Sequence, residues 1–508
     1  MKLTNSAQMR EMDNYAIGHL GIPGVALMSK AAGHIAAAAM ERLSPGGRAA
    51  VFCGTGNNGG DGIGAAAYLM DKGVSVRVFL VGNAEKLTPD AKEMLKYLDS
   101  LGGSLEHFDA SPELLRHLGD CDVVIDAIFG TGLNSEIRGD ALLAINLIND
   151  SGAHVIAADM PSGVNADTGA VMGVAVMAST TVTFTMAKQG QFVEPGSIHC
   201  GEVRVCDIGI PSEIVDGAVS HVSAVTPEAV GLPRRRLDTH KGNYGRCLII
   251  AGSVGYTGAP ALSARAASRM GAGLVYLGVP RSIYDIMAVK MDEEMPFHLP
   301  EDRQGRLAAN AAGEILRRAD ECDVCLIGPG LGRSPEITEL VLSIIRIVKT
   351  PVVLDADGIN AISGHIDILE KTACPLVLTP HAGEFVTLGG NLSYGDRLRE
   401  ARMFAMRNRC YLILKGHRTI TTLPDGNAHI NTTGGPAMAK GGTGDVLSGM
   451  IAALIGQRFP IADAAKTAVY IHGLAGDMCA AELGEYSVMA SDIVAMLPRA
   501  AQRVAQKG

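Results

Sequence analysis

The chain has 508 residues, 47% of them apolar and 19% charged, with a formal net charge of −9 and no Trp. That length exceeds one ordinary core, so two or three domains are expected, and the acidic balance with few aromatics argues against nucleic-acid binding through basic stripes or base-stacking platforms. Ten scattered cysteines suit a reducing compartment, the N-terminus lacks an apolar signal core and no apolar run reaches the roughly 18–20 residues of a membrane span, so a cytoplasmic protein with no membrane or nucleic-acid partner is expected.

In chain order, Ala49–Cys53 reads as a short apolar strand and Ile63–Asp71 as a helix after glycines. Val74–Val81, Val123–Ile128 and His154–Asp159 are further strands, with a helical pattern at Asp140–Ile148. This alternation predicts an α/β fold, a parallel sheet covered by helices. Residues 211–240 carry Pro211, Pro227, Pro233 and the run Arg234-Arg235-Arg236, and read as a linker with solvated arginines. The pattern restarts with a strand at Cys247–Ala251 and a helix at Ala259–Met270. Strands at Leu274–Val279, Val324–Ile327, Val352–Asp355, Leu376–Thr379 and Tyr411–Lys415 follow. Cys322 and Cys325 form a lone CxxC in a buried strand, and without a second pair they read as packing rather than a zinc or redox site. From Thr443 to about Lys507 the chain is helix-rich. The 62 glycines, well above an average share of roughly 7%, fit strand-to-helix turns of the kind that bind phosphate.

The first such turn is Gly54-Thr55-Gly56-Asn57-Asn58-Gly59-Gly60-Asp61-Gly62. Backbone N–H groups at a helix start are unpaired and point outward, which suits an anion. The glycines fit GxGxxG, but the next strand ends Leu80-Val81-Gly82-Asn83, without the acid that ordinary dinucleotide binding needs there. The amides and Asp61 suit a hydroxyl or a hard cation instead. Asp126 and Asp159 end two further strands, and ligands in open parallel sheets bind beyond such ends.

In the second half, Gly441-Gly442-Thr443-Gly444-Asp445 opens an apolar helix. Its glycine N–H groups can cradle a phosphate, and Asp445 on the first turn can deprotonate a hydroxyl that attacks phosphorus. It is not a Walker loop, because no GK[ST] follows.

These motifs carry two resemblances. Asn57–Gly62, Phe129-Gly130-Thr131-Gly132-Leu133 and Asp159-Met160-Pro161-Ser162-Gly163 through Gly169 resemble the NAD(P)H-hydrate epimerase family over roughly residues 1–215. The resemblance implies a Rossmann-like parallel-sheet domain. In it, Asn57, Asn58, Gly59, Gly60, Asp61, Gly130, Thr131, Gly132, Leu133, Asn134, Ser135, Glu136 and Asp159 would hold hydrated NADH or NADPH. Asn58, Asp126 and Ser162 would ligate potassium, and Asp159, with Asp126 as second choice, would be the acid–base group. The chain has Leu27-Met28-Ser29-Lys30-Ala31-Ala32-Gly33 where family members often carry an acid. The GGTGD turn resembles the ribokinase-like superfamily. His240–Gly245, Gly252–Pro260, Gly328–Gly332, Asp355-Ala356-Asp357, Thr379–Glu384 and Lys415–Thr419 more specifically resemble ADP-dependent NAD(P)H-hydrate dehydratase, over roughly 225–505. That resemblance implies that Ala259, Gly332, His381 and Asp445 contact the hydrate. Lys415, Gly416, His417, Arg418, Thr419 and Gly444 would hold ADP, and Glu384 would help place magnesium. Asp445 would be the catalytic base, and the product NAD(P)H would form by loss of phosphate from a phosphorylated hydroxyl. The expected organisation is a domain at 1–215, a linker within 216–240 and a second domain at 225–505, assembling as a homo-oligomer. A small-molecule kinase fused to a non-catalytic dinucleotide-binding module is the competing expectation.

Overall fold

Buried apolar runs alternating with glycine-rich turns build a seven-stranded parallel sheet and a ten-stranded, mostly parallel one, beside a two-stranded pairing of Leu3–Thr4 with Ala187–Lys188, in this computed structural model, which describes residues 1–393 and 395–505. Lys507, the expected end of the helical tail, lies outside the described residues. The chain divides into two compact units, Lys2–Val222 and the residues from Ser223 onward with Met1.

The first unit holds strands β1 (Arg48–Cys53), β2 (Ser75–Leu80), β3 (Leu105–His107), β4 (Val123–Ala127), β5 (His154–Ala158), β6 (Thr180–Phe184) and β7 (Glu202–Cys206). All pair in parallel, in the spatial order 3-2-1-4-5-6-7. Two apolar clusters cover its faces, as parallel sheets require. Helix α1 (Ser6–Gly18) is started by a capping box between Asn5 and Gln8. Helix α2 (Asn57–Asp71) begins six residues before the position the hydrophobic pattern marks. Its glycines have little helix propensity, but they let α2 lie close on the sheet: a Cβ at Gly62 would come within 2.5 Å of the Ala127 methyl and 3.0 Å of Cys53 Sγ.

The second unit holds β8 (Val222–Ala224), β9 (Arg246–Ile250), β10 (Leu274–Pro280), β11 (Met295–Leu299), β12 (Val324–Ile327), β13 (Val352–Leu354), β14 (Leu376–Leu378), β15 (Tyr411–Leu414), β16 (Ile420–Thr422) and β17 (Ala428–Ile430). The spatial order is 8-17-16-15-14-13-12-9-10-11. Pairing is parallel from β11 through to β15 and antiparallel from β15 to β17. The stretch expected as a linker is therefore structured in part. Its three arginines are exposed, as expected; Arg235 also donates to Gly271 O at 2.6 Å and stacks over Tyr244, and Arg236 pairs with Asp238 at the surface. Cys322 and Cys325 are free, and burial pushes the Cys322 thiol up to about 11.

Two helices carry residues of this unit's site and pack together: α3 (Gly258–Arg269) and α4 (Thr443–Gly456). Helix α4 is buried from Val446 to Gly456, as befits a helix apolar on every side. It lies against α3 at Gly449, where a Cβ would run into the backbone of Ser263. Gly449→Ala is expected to destabilise this unit by about 1–3 kcal/mol through overpacking. Urea unfolding should show a lower midpoint at unchanged slope.

Candidate functional site

The first sheet reverses its winding between β1 and β4, the point at which ligands enter open α/β sheets. The loops leaving these strands are held close. Gly54 N donates to Ala127 O at 3.0 Å, a Cβ on Gly54 would strike the Ile128 carbonyl, and one on Gly59 the Gly54 carbonyl. Beyond them opens a cavity of about 620 Å³, lined by Asn57, Asn58, Asp61, Gly130, Thr131, Gly132, Leu133 and Asp159 among others. Gly59 and Gly60 are buried and do not line it, nor do Asn134, Ser135 and Glu136; Glu136 pairs with Arg138 at the surface.

Asp159 follows β5 with φ 63°, a left-handed conformation that costs a non-glycine residue about 1–3 kcal/mol and clusters at functional sites. Its Oδ1 accepts from Thr183 Oγ1 at 3.0 Å and is ion-paired with Lys188 Nζ, while its carbonyl accepts from Gln191 Nε2 at 2.7 Å. Lys188 is 1% exposed and also donates to Thr183 Oγ1 and the Phe184 carbonyl. Sequence reasoning missed this lysine, which lies four residues beyond β6 in a short pairing with Thr4. Burial, then the nearby charges of Asp159 and Asp13, drive Asp61 well above the usual carboxylate range. It lines the cavity as a carboxyl whose ionisation is opposed by its surroundings.

Behind the cavity, Asp126 is fully buried. Its Oδ1 accepts from Ser162 Oγ at 2.6 Å and Ile128 N at 3.2 Å, and its Oδ2 from Ser162 N at 2.7 Å. Burial pushes its carboxyl up to about 6 against those hydrogen bonds. Ser162 Oγ accepts from Phe129 N at 2.8 Å. Asn58 is different: both polar atoms of its side-chain amide are buried without a partner. Buried polar groups are normally satisfied, so an orphaned amide oxygen, with a serine hydroxyl and a carboxylate among the neighbouring loops, fits an oxygen-coordinated cation.

In the second unit the winding reverses between β9 and β12, and the loops leaving β9, β12, β13, β14 and β15 meet there. Lys415, just beyond β15, donates from Nζ to Asp355 Oδ1 at 2.8 Å and lies 3.9 Å from Glu384 Oε2. Burial lowers its proton affinity, but the Asp355 and Glu384 charges outweigh that and hold it above the ordinary lysine value. A Cβ on Gly444 would lie 3.3 Å from Lys415 Nζ, so the ammonium rests against the first turn of α4. Asp445 sits on that turn. Burial, then the charge of Asp355, pushes its carboxyl up to about 7, with Lys415 opposing and Asp357 and Glu384 adding to the rise.

Ala259 begins α3 beside the β12 loop, where a Cβ on Gly330 would lie 3.2 Å from its own. Gly332 adopts φ +75° and donates its N–H to Asp357 Oδ2 at 2.8 Å. His381 uses Nδ1 to cap the next helix, accepting from Gly383 N and Glu384 N, while Glu384 Oε2 accepts from His381 N at 2.8 Å. Lys415–Thr419 closes on itself through Thr419 Oγ1 to Gly416 O at 2.8 Å, and Arg418 donates to Thr432 O. Asp355 was the overlooked member. It holds Lys415 and Thr379 Oγ1 through Oδ1, while its Oδ2 is buried without a partner. Among the described residues no three His, Cys, Asp or Glu side chains form a metal cage. Magnesium in phosphoryl transfer is commonly held by one or two carboxylates together with the phosphates, and Glu384 with the orphaned Asp355 oxygen fits that requirement. An ammonium, a helix N-terminus and a carboxylate poised near neutrality together suit deprotonation of a hydroxyl during phosphoryl transfer.

Residues 247–499 match the family model described as NAD(P)H-hydrate dehydratase, and residues 24–190 the one described as YjeF-related protein N-terminus. The bifunctional NAD(P)H-hydrate repair enzyme of Moorella thermoacetica is 41% identical over 512 residues, covering 98% of this chain and 96% of the relative. That of Thermofilum pendens is 38% identical over 505 residues, with the same coverages. A solved ribokinase-like superfamily protein from Enterococcus faecalis V583 covers 57% of this chain and 98% of its own, at 27% identity and a TM-score of 0.50.

Proposed function

The chain belongs to the bifunctional NAD(P)H-hydrate repair enzymes, with an epimerase and a dehydratase part, and from that premise we propose which residues perform each reaction. The observation that carries the reading is Asp445, poised near neutrality on the first turn of α4 against Lys415.

In the dehydratase part, the S hydrate lies against Ala259, Gly332 and His381, and ADP lies along Lys415–Thr419 and Gly444. Asp445 takes the proton of the ring hydroxyl as its oxygen attacks the terminal phosphorus of ADP. Lys415 and the Gly441–Gly444 N–H groups stabilise charge on the transferred phosphoryl; loss of one such donor typically costs about 100-fold or more. The ring nitrogen then expels phosphate, the ring carbon next to the reacting one loses a proton to close the C=C bond, and NAD(P)H, AMP and phosphate result. Magnesium, held by Glu384 and Asp355 together with the phosphates, would neutralise charge on ADP.

In the epimerase part, the hydrated ring enters the cavity bounded by Asn57–Asp61, Gly130–Leu133 and Asp159. Inverting the hydroxyl-bearing carbon passes through a cationic ring, which the Asp159 carboxylate steadies while it handles a proton. Asn58, Asp126 and Ser162 would hold potassium, whose charge would help orient the substrate. Replacing potassium by a bulky organic cation is expected to slow epimerisation by about tenfold or more. Dehydration of the purified S hydrate should keep its rate, with both followed by chromatographic separation of the epimers.

The test of the whole reading mixes the chain with acid-hydrated NADH, magnesium, potassium and ADP, and follows recovery of reduced-nicotinamide absorbance. Full recovery with AMP formation is expected. Recovery that stalls at the S fraction would remove the epimerase assignment, and no recovery with either ADP or ATP would remove the dehydratase assignment.

A further inference from the structure

We propose that Asp13 is a second proton-transfer residue of the epimerase cavity, serving the ring hydroxyl from one face while Asp159 serves it from the other. This rests on the epimerase reading above.

Inversion requires the hydroxyl to leave from one face and to return on the opposite one. Each event needs proton transfer at oxygen, and one carboxylate fixed on one side cannot reach both. The cavity contains Asp13, Asp61 and Asp159 among its lining carboxylates. Asp159 comes from the end of β5, with Oδ1 engaged by Lys188 and Thr183. Asp61 is buried at the start of α2, where burial and the nearby acids raise its carboxyl above the usual range. Asp13 comes from a third element, α1, and is only partly buried. That helix is pinned by its capping box and by Ser6, whose N and Oγ donate to Asp167 at 2.6 and 2.8 Å. It buries Met9, Met12 and Ala16, which leaves Asp13 at the edge of the packed face, lining the cavity.

Arg10, Asp61, Asp90, Asp159 and Lys188 line the same cavity. Burial pushes the Asp13 carboxyl up to about 6, with Lys188 opposing and Asp159 adding to the rise, so Asp13 can both give and take a proton near neutrality. Protonated Asp13 gives its proton to the ring hydroxyl as the C–O bond breaks, and water leaves. The ring nitrogen lone pair forms the C=N⁺ bond. Water attacks the opposite face and gives a proton to Asp159, and the C=N⁺ pair returns to nitrogen. The reverse reaction starts with the proton on Asp159. Asp13 must carry its proton when the hydroxyl leaves, so epimerisation should fall as pH rises through about 6.

The test measures epimerisation of purified S and R hydrates by wild type, Asp13→Asn and Asp13→Glu. Dehydration by the same preparations and the thermal melt serve as controls on folding. Asp13→Asn is expected to lower kcat by about 100-fold or more, with little change in KM and loss of the alkaline limb. Asp13→Glu is expected to restore most of kcat and to keep a displaced limb. A native kcat and limb in Asp13→Asn, or a change confined to KM, overturns the proposal. Where Asp13→Asn melts early, Asp13→Glu decides: a displaced limb supports the proposal, and an unmoved limb overturns it. Wild-type chain that fails to epimerise either hydrate sinks the epimerase reading itself rather than the role of Asp13.

Discussion

Asp445→Asn is expected to slow dehydration of the S hydrate by about 100- to 10,000-fold, the range for loss of a general base. Epimerisation by the same chain should run at its native rate, so R and S hydrates equilibrate and then persist. As the proposed base, Asp445 has to be a carboxylate. With its carboxyl at about 7, kcat should rise with pH through neutrality and level off above it. Asp445→Asn should flatten that limb. The same elevation has a cost for folding. The folded state binds this proton more tightly than the unfolded chain, whose carboxyl lies near 3.8. Stability from this group is therefore present at low pH and lost as pH rises between those values. Asp445→Asn removes the penalty, and its second unit should melt above wild type at pH 8 and closer to it at pH 5, as read by calorimetry. An equal shift at both pH values would mean that the carboxyl is not elevated by its surroundings.

The second large effect falls on the ion pair of the first unit. Asp159→Ala leaves the Lys188 ammonium, 1% exposed, without its carboxylate. Breaking a buried pair by removing one partner costs about 3–5 kcal/mol, so the first unit should lose that much in urea unfolding, and epimerisation should be lost with it. Recovery from a mixed hydrate preparation would stop when the S form is spent. The pair Asp159→Asn with Lys188→Met separates the two consequences, because replacing both partners with uncharged groups avoids the orphaned charge. The double variant should regain most of the stability and none of the epimerisation. Regained epimerisation would remove both residues from the chemistry.

The parts of the sites that were legible in the amino-acid order are those where backbone geometry demands glycine. Gly54 and Gly59 sit where any Cβ would strike a carbonyl, and Gly442 takes φ +95° at the cap of α4; such positions leave a mark that survives without structure. The start of α2 was not legible, because four glycines among its first eight residues hide a helix whose stability comes from lying close on the sheet. Strands β3, β6, β7, β8, β11, β16 and β17 were missed as well; four of them have only three residues, too few to show a period. Lys188 and Asp355 were missed for another reason. Each owes its importance to partners distant in the chain, Asp159 for the one and Lys415 for the other, and a single charged side chain beside a strand does not announce what it will face.

Helices α3 and α4 touch at Gly449 and Ser263, and the consequence reaches their ends. Gly449 lies one turn along α4 from Asp445, and Ser263 one turn along α3 from Ala259, to whose carbonyl it donates at 3.0 Å. The jaws of a caliper are set by the same arrangement: the gap at the tips follows from the closure at the pivot. Asp445, the proposed base, and Ala259, proposed to face the substrate, are thereby spaced by two rigid rods rather than by the loops around them. A displacement of about 1 Å in a reacting geometry can cost on the order of 100-fold in rate. Gly449→Ala should therefore depress dehydration far more than its loss of stability alone explains, even at temperatures where the chain remains wholly folded.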